Sequence, residues 1–336
     1  MNADRSNTVL ITGGAGYIGS HVVLALQEAG YRPIVLDNLS TGRKESVPPD
    51  VPFIEGDIAE RRLIDAALRD HRCAAVMHFA GSIVVPESVA RPLAYYDNNV
   101  ANSLQLLQAC EQFKVDIFIF SSTAAVYASE GAGTVTEDDT LVPATPYGRS
   151  KLMVEWMLQD TAAASTLRYG ILRYFNVAGA DPQLRTGLST PNATHLIKRA
   201  CQVALGQAPA IDVFGSDYPT PDGTAVRDYI HVTDLAAAHI AVLDHLRRGG
   251  DSCTLNCGYG HGFSVAEVLD AVDRVSGHPL VRNMAARRAG DAAALVADPS
   301  RLRSLLGWQP QHDDLDHIVE TALRWERKLV GAAAGD

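Results

Sequence analysis

Tyr147 and Lys151 stand four positions apart in the segment Pro146-Tyr147-Gly148-Arg149-Ser150-Lys151. In a helix that spacing puts both side chains on one face. A free phenol has a pKa of about 10 and is only about 0.1% ionised near pH 7, so alone it is a poor base. A nearby ammonium favours the phenolate, typically by ~1–3 pK units, and makes a tyrosine usable as a general acid–base near neutral pH. Taken alone, the same five residues also describe an exposed aromatic beside a solvated lysine. A hydroxyl donor for a substrate oxygen is available in Ser121-Ser122-Thr123, at the end of an apolar run. For Ser121 by itself, strand-end capping is the simpler reading.

A second constellation is Thr12-Gly13-Gly14-Ala15-Gly16-Tyr17-Ile18-Gly19. Gly13, Gly16 and Gly19 have the spacing of a dinucleotide loop: a tight turn, close backbone approach to a pyrophosphate, and a helix start whose N–H groups and dipole favour anions. The alternative is a tight turn that binds nothing. Asp37 ends the second strand run, about where a carboxylate meets a ribose 2′-OH and repels a 2′-phosphate, which favours NAD over NADP. Asp57, in Gly56-Asp57-Ile58, ends the next strand region within reach of an adenine. No G-x-x-x-x-G-K-[ST] pattern exists to hold a γ-phosphate, which excludes a P-loop kinase.

The elements that must position these groups alternate. Apolar runs at Thr8–Thr12, Pro33–Asp37, Val51–Ile54, Ala75–Ala80, Ile117–Ser121 and Tyr169–Phe175 read as strands. Helical periodicity fills Tyr17–Ala29 and the stretches near 60–69, 92–113 and 147–162. Strands alternating with helices predict an α/β fold, a Rossmann-type doubly wound parallel sheet. After Asn176 the chain is rich in Pro, Gly, Asp and Thr, with helical segments at 194–205, 232–246, 264–275 and 313–328. The expected organisation is a Rossmann domain over 1–176, with part of 228–257 packing back on it. A smaller α/β substrate lobe is expected over 177–227 and 258–330, and a frayed tail over 331–336.

With 336 residues against about 100–200 per typical domain, two lobes are expected. The formal net charge of −10 argues against nucleic acid as a partner, and means that an anionic ligand needs specific arginines. No apolar stretch reaches the ~18 residues of a membrane span, and the polar Met1–Asn7 lacks a signal-peptide core. The expectation is a cytoplasmic protein with no membrane partner. Five scattered cysteines, Cys73, Cys110, Cys201, Cys253 and Cys257, read as small buried thiols. The last two share one strand face, and without Cys/His partners at ligand spacing no metal is expected.

The blocks TGGAGYIGSH, LDNLSTG, EGDI, HFAG, ESV, YYDNNV, FSSTAAVY, PYGRSK, LRYFNVAGAD and RDYIHVTDLA, in this order, resemble the extended short-chain dehydrogenase/reductase family. The resemblance is greatest to its UDP-glucose/UDP-galactose 4-epimerase branch and covers about Thr8 to Trp308. It implies tightly held NAD, a UDP-sugar between the lobes, and a homodimer packed through helices near 98–113 and 147–162. Its catalytic trio maps to Thr123, Tyr147 and Lys151. Cofactor contacts map to Gly13, Gly16, Tyr17, Ile18, Asp37, Asn38, Asp57, Ile58, Phe79, Ala80, Asn98, Tyr147 and Lys151. Uridine-diphosphate contacts map to Asn176, His195, Leu196, Val213, Phe214, Arg227, Arg288 and Asp291. The two arginines supply guanidinium forks suited to a diphosphate.

Some positions depart from the family pattern. Thr123 stands where many members have serine, and keeps the hydroxyl. Ile83 stands where some have a cofactor-contacting lysine, His195 where some have asparagine, and Ala128 where some have glycine. Leu295 stands where members restricted to non-acetylated sugars tend to have tyrosine, leaving room beside the sugar C2.

The expected reaction is reversible 4-epimerisation of UDP-glucose and UDP-galactose through a 4-keto sugar with retained NAD. A sugar-nucleotide dehydratase wants an acid beside the strand-end Thr, and Ala124 and Ala125 follow Thr123 instead. Epimerisation of N-acetylhexosamine, uronic acid or pentose nucleotides stays open through Leu295. A non-catalytic NAD-sensing module would keep the glycine loop while losing the tyrosine or lysine, and both are present.

Overall fold

The computed structural model describes residues 7–128, 133–190, 193–288 and 291–333. Its main sheet has seven strands in the order Cys253–Cys257, Arg168–Tyr174, Ile117–Thr123, Ala75–His78, Thr8–Thr12, Arg32–Asp37 and Phe53–Glu55. From the third strand of that order to the last, neighbours run parallel. Val76 lies opposite Leu10 and Phe118, Leu10 opposite Ile34, and Leu36 opposite Ile54. Thr8–Thr12 and Ile117–Thr123 are buried at every position. Short uninterrupted runs rich in Ile, Val and Phe form strands covered on both faces, as parallel sheets require. Leu10, Leu36, Val76, Phe118 and Phe120 join one core with Ile64 and Leu68, Leu106 and Cys110, and Val154 and Leu158 from three covering helices.

Among the described residues the chain divides into two compact units. The first holds those up to Val126, Pro143–Arg173 and Ala236–Leu255. The second holds Tyr127–Val142, Tyr174–Leu235 and the residues from Asn256 on. Within the second, a four-stranded sheet runs in the order Phe263–Ser264, Val226–Arg227, Ala294–Ala297, Thr134–Val135. Asn176–Ala178 pairs with Tyr229–His231, and Ile211–Phe214 with Arg282–Ala285. Strands of two to four residues carry no readable period, so none of these stood out in the sequence. The helices Leu196–Ala204, Val265–Ser276 and Leu315–Ala333 pack on one another. The second opens with a reciprocal cap between Ser264 and Glu267, which satisfies two otherwise orphaned N–H groups.

Two details differ from expectation. The helix foreseen over 92–113 is Pro92–Tyr96, a π-helical stretch Asp97–Ala101, and then Asn102–Phe113. Such bulges re-aim side chains inside a helix, here at Asn98 and Asn99. The last helix runs to Ala333, so 331–333 are helical rather than frayed. Alanine is the best helix former and nothing in Gly331-Ala332-Ala333 breaks the turn. Residues 334–336 lie outside the described residues.

The first unit also buries an ion pair. Arg173 and Glu155 are 2.6 Å apart and almost fully enclosed, and the Ser122 hydroxyl donates to the same carboxylate. Removing one partner of such a pair strands the other charge in low dielectric. Glu155→Ala is therefore expected to destabilise the protein by about 3–5 kcal/mol, measured by urea denaturation against the parent.

Candidate active site

The first unit builds the glycine loop as expected. Gly13 has φ +73°, and a Cβ there would lie 2.6 Å from the Ala80 nitrogen. A Cβ on Gly19 would sit 2.2 Å from the Gly13 carbonyl oxygen. Only glycine lets the turn close against the end of strand Ala75–His78, where the Phe79 and Ala80 N–H groups both donate to the Thr12 carbonyl at 2.9 and 3.0 Å. Helix Tyr17–Glu28 then starts at Gly16 with no side-chain cap and no acid in its first turn. The helix start is thus left without a side-chain cap, although the Asp37 carboxylate takes the Ala15 N–H of the same loop, and an uncapped helix start after a glycine turn suits a pyrophosphate.

Asp37, Asn38 and Asp57 gather beside this loop. The Asp37 carboxylate accepts from the Ala15 N–H at 2.9 Å and the Leu39 N–H at 2.8 Å. Burial pushes its pKa up, and those backbone donors oppose the rise. Asn38 donates to Asp57 at 2.7 Å, and Ile58 is buried behind them. Asn98 donates to Ser82 at 2.9 Å.

The expected acid–base group is assembled at the carboxyl end of strand Ile117–Thr123. Helix Pro146–Ala164 opens with Thr145 accepting from the Gly148 N–H and with Pro146 in its first turn, both favoured choices. Tyr147 and Lys151 therefore sit in its first two turns. Both are buried, and Tyr147 is hydrogen-bonded to the Thr123 side chain. A Cβ on Gly148 would lie 2.3 Å from the Ala125 carbonyl oxygen, so glycine after Tyr147 lets the helix meet the turn that follows Thr123. Lys151 donates to the Ser121 carbonyl at 3.0 Å, and its ammonium lies 4.9 Å from the centre of the Phe120 ring.

The ionisation picture corrects the sequence-based one. Burial pushes the Tyr147 phenol up, while the Thr123 hydrogen bond pulls it down. Burial, partly opposed by Glu155, lowers the Lys151 ammonium to about 8. The helix spacing foretold proximity, but it could not foretell that both groups lose their water.

The remaining expected residues belong to the second unit. Arg227 pairs in register with Leu295, and Asn176 with Tyr229. The buried Asp228 organises this region. Its carboxylate accepts from the N–H groups of Tyr259, Gly260 and Ala297 at 3.0, 3.1 and 3.3 Å, while its own carbonyl takes the Asn176 N–H at 3.0 Å. Arg288 stacks over Phe214 at 3.7 Å, and the Asp291 N–H donates to the Arg288 carbonyl at 3.3 Å. Val213 is buried in strand Ile211–Phe214. His195 caps and Leu196 begins helix Leu196–Ala204. Burial lowers the His195 imidazole to about 4, with Lys198 acting in the same direction, so it is neutral at pH 7.

Several supporting residues escaped the sequence reading. Asn99 is buried and ties Ser82 to Ser150, accepting at 2.8 Å and donating at 3.0 Å to each. Its signal was the repeated asparagine after Asp97. Glu155 lies four residues beyond Lys151 on the same helix, and that spacing would have found it. Asp228, beside Arg227, had no local signal, because its partners come from residues 259–260 and 297. Of the five cysteines, none in a disulfide, four are buried as expected, but Cys253 is only half-buried; it opens its strand, where cover is incomplete.

The profile of the NAD dependent epimerase/dehydratase family matches residues 9–258. A UDP-glucose 4-epimerase of Azospirillum brasilense is 59% identical over 96% of this chain and 93% of its own length. The crystal structure of a Brucella ovis UDP-glucose 4-epimerase in complex with NAD superposes with a TM-score of 0.92 at 44% identity, covering 95% of this chain and 98% of that one. The structure of the Campylobacter jejuni UDP-Glc/GlcNAc 4-epimerase gives 0.84 at 44% identity, covering 96% and 99%.

The lowered Lys151 pKa has a signed consequence. Between about 8 in the folded protein and the ordinary lysine value near 10.4, the unfolded chain holds a proton that the folded one does not. This group's unfavourable contribution is therefore full below pH 8 and disappears as pH rises toward the unfolded pKa. The stability of Lys151→Met relative to the parent should fall as pH is raised from 8 to 10.5, followed by chemical denaturation at a series of pH values.

Proposed function

Because the chain belongs to the NAD dependent epimerase/dehydratase family, we propose that it interconverts UDP-glucose and UDP-galactose by inverting C4 through a 4-keto sugar. The observation that carries this reading is the buried Tyr147 hydrogen-bonded to Thr123 at the sheet's carboxyl end, with Lys151 one helical turn on. The names of relatives at up to 59% identity support the substrate.

Tyr147 takes the proton of the sugar 4-hydroxyl as the C4–H bond breaks and C4=O forms. A bound NAD would supply the acceptor and later the donor of that hydride, with no net oxidation, and its oxidised ring would add a positive charge that favours the tyrosinate. Thr123 holds the 4-oxygen through its hydroxyl. Lys151, buried one helical turn on, supplies a cation of the kind that favours a tyrosinate. The keto sugar turns about its link to the diphosphate, presents its other face, and Tyr147 gives the proton back to the 4-oxygen. The nucleotide must be gripped while the sugar moves, a task suited to Arg227 and Arg288 with Asn176, His195, Leu196, Val213, Phe214 and Asp291. The glycine loop holds the cofactor's pyrophosphate, with Tyr17, Ile18, Asn38, Asp57, Ile58, Phe79, Ala80 and Asn98 around the dinucleotide. The Asp37 charge favours NAD over its 2′-phosphorylated form.

A second reading widens the substrate. Leu295, in register with Arg227, is smaller than tyrosine, and the Campylobacter jejuni relative is named for both UDP-Glc and UDP-GlcNAc. Product analysis across UDP-galactose, UDP-N-acetylgalactosamine and a UDP-pentose decides between the two. If no sugar in the panel is isomerised, both fall.

Five cysteines outside any disulfide suit a reducing compartment, so the cytoplasm is the proposed location. We further propose a homodimer formed through the helices at 98–113 and 147–162. Support comes from apolar side chains left exposed there and nearby: Leu104 at 45%, Trp156 at 52% and Leu93 at 80%.

Tyr147→Phe is expected to keep UDP and NAD binding and to lose roughly 10²–10⁴-fold in kcat, read by product analysis and calorimetry. Near-full turnover would remove Tyr147 as the acid–base. Trp156→Glu is expected to shift the protein toward monomer, seen by light scattering after size exclusion; an unchanged mass would place any dimer contact elsewhere.

A further inference from the structure

Three imidazoles converge in the second unit, two of them at an H-x4-H spacing known from zinc sites and the third from far along the chain. His231 ends strand Tyr229–His231, His312 precedes the last helix, and His317 lies in the first turn of helix Leu315–Ala333. One ring nitrogen from each lies within 4.8 Å of the other two. The rings stack, with centroids 4.5 Å apart for His231 and His312, 5.6 Å for His231 and His317, and 5.1 Å for His312 and His317.

His312 Nδ1 and His317 Nε2 face one another at 2.9 Å. One donates and the other accepts, so their lone-pair directions meet in the space between them. Two imidazole ligands of one ion, with bonds of about 2.0–2.1 Å, stand about 2.9 Å apart at a right angle and about 3.4 Å apart in a tetrahedron. The separation of the two nitrogens already suits two ligands of one ion, and each ring has to turn by roughly 35–45° to aim its lone pair at an ion beside the N···N line.

The surroundings hold the pair in place. Glu320 lies 3.9 Å from His317 Nδ1. A carboxylate on that side favours the tautomer with its lone pair on Nε2, the arrangement seen behind metal-bound imidazoles. The His312 N–H and the neighbouring Gln311 N–H donate to the two oxygens of buried Asp234 at 2.9 and 3.0 Å, which fixes the loop. His231 is already engaged. Its Nδ1 accepts from the Thr233 N–H at 3.1 Å, and its Nε2 meets the Thr321 hydroxyl at 3.1 Å. Because Thr321 donates to the Ile318 carbonyl at 3.0 Å, it accepts from His231. His231 joins as a third ligand through Nε2 only by moving the Nε2 proton to Nδ1, which exchanges both the Thr321 and the Thr233 bond.

We propose that His312 and His317, completed by His231, bind a divalent ion of the zinc class. Imidazole nitrogen suits zinc, copper and nickel and does not suit magnesium or calcium. None of the three histidines is assigned to cofactor or sugar nucleotide. The ion ties the start of the last helix to the strand that follows Arg227 and Asp228.

The test uses the full-length, tag-free protein after chelator treatment, titrated calorimetrically with zinc chloride and, separately, magnesium chloride. One zinc per chain is expected, with no magnesium binding and a melting temperature that rises with zinc. His312→Gln and His317→Gln should each weaken zinc binding at least roughly tenfold while keeping the zinc-free melting temperature, and Glu320→Gln should weaken it less. Cobalt(II) provides a second readout, since its ligand-field spectrum should be lost in both histidine variants. No saturable zinc binding, or an unchanged affinity in both variants, overturns the proposal.

Discussion

A lysine ammonium held out of water is the constraint around which the first unit is arranged. Lys151 is buried, and a buried cation survives only when neighbours replace its lost hydration. The Ser121 carbonyl and the face of Phe120 do so from the central strand, and Glu155 supplies the opposing charge. Glu155 in turn is shared with Arg173 and Ser122. The helix carrying Tyr147 is thus bound to the sheet by polar groups as well as by Val154 and Leu158. A tyrosine on its first turn is aimed by the same bonds that keep the lysine charged.

The second unit solves a different problem, that of fixing short strands which cannot hold themselves. Val226–Arg227 has two residues, too few for an independent strand. Asp228 takes over by accepting backbone N–H groups from residues 259, 260 and 297, while burial raises its pKa against those donors. The arginine before it acquires a defined place in a chain whose net charge of −10 opposes anion binding on average. Guanidinium groups held in place act locally, where the mean field counts for little.

The stacked histidines follow the same logic in looser form. Asp234 accepts from the Tyr259 hydroxyl as well as from the loop at 311–312. A single carboxylate therefore aligns residues from three distant stretches of chain, and the imidazoles meet because those stretches meet.

Local order carried a large part of the outcome. The apolar runs of the first half, the glycines whose spacing the turn at Gly13 demands, Asp37 at a strand end, and the i, i+4 pair of Tyr147 and Lys151 are each set by nearest neighbours along the chain. They were legible for that reason, as was the family to which the ordered blocks belong. What the sequence left open depends on contacts between distant residues. Tertiary packing alone decided that Tyr147 and Lys151 are dehydrated, which turned the expected lowering of the phenol pKa into a rise. It also decided that Thr134–Val135 joins the second unit's sheet, that Asp228 gathers three remote N–H groups, and that histidines 231, 312 and 317 share one space. Periodicity reports which face of an element is apolar; it does not report what covers that face, and burial and charge pairing are properties of the cover.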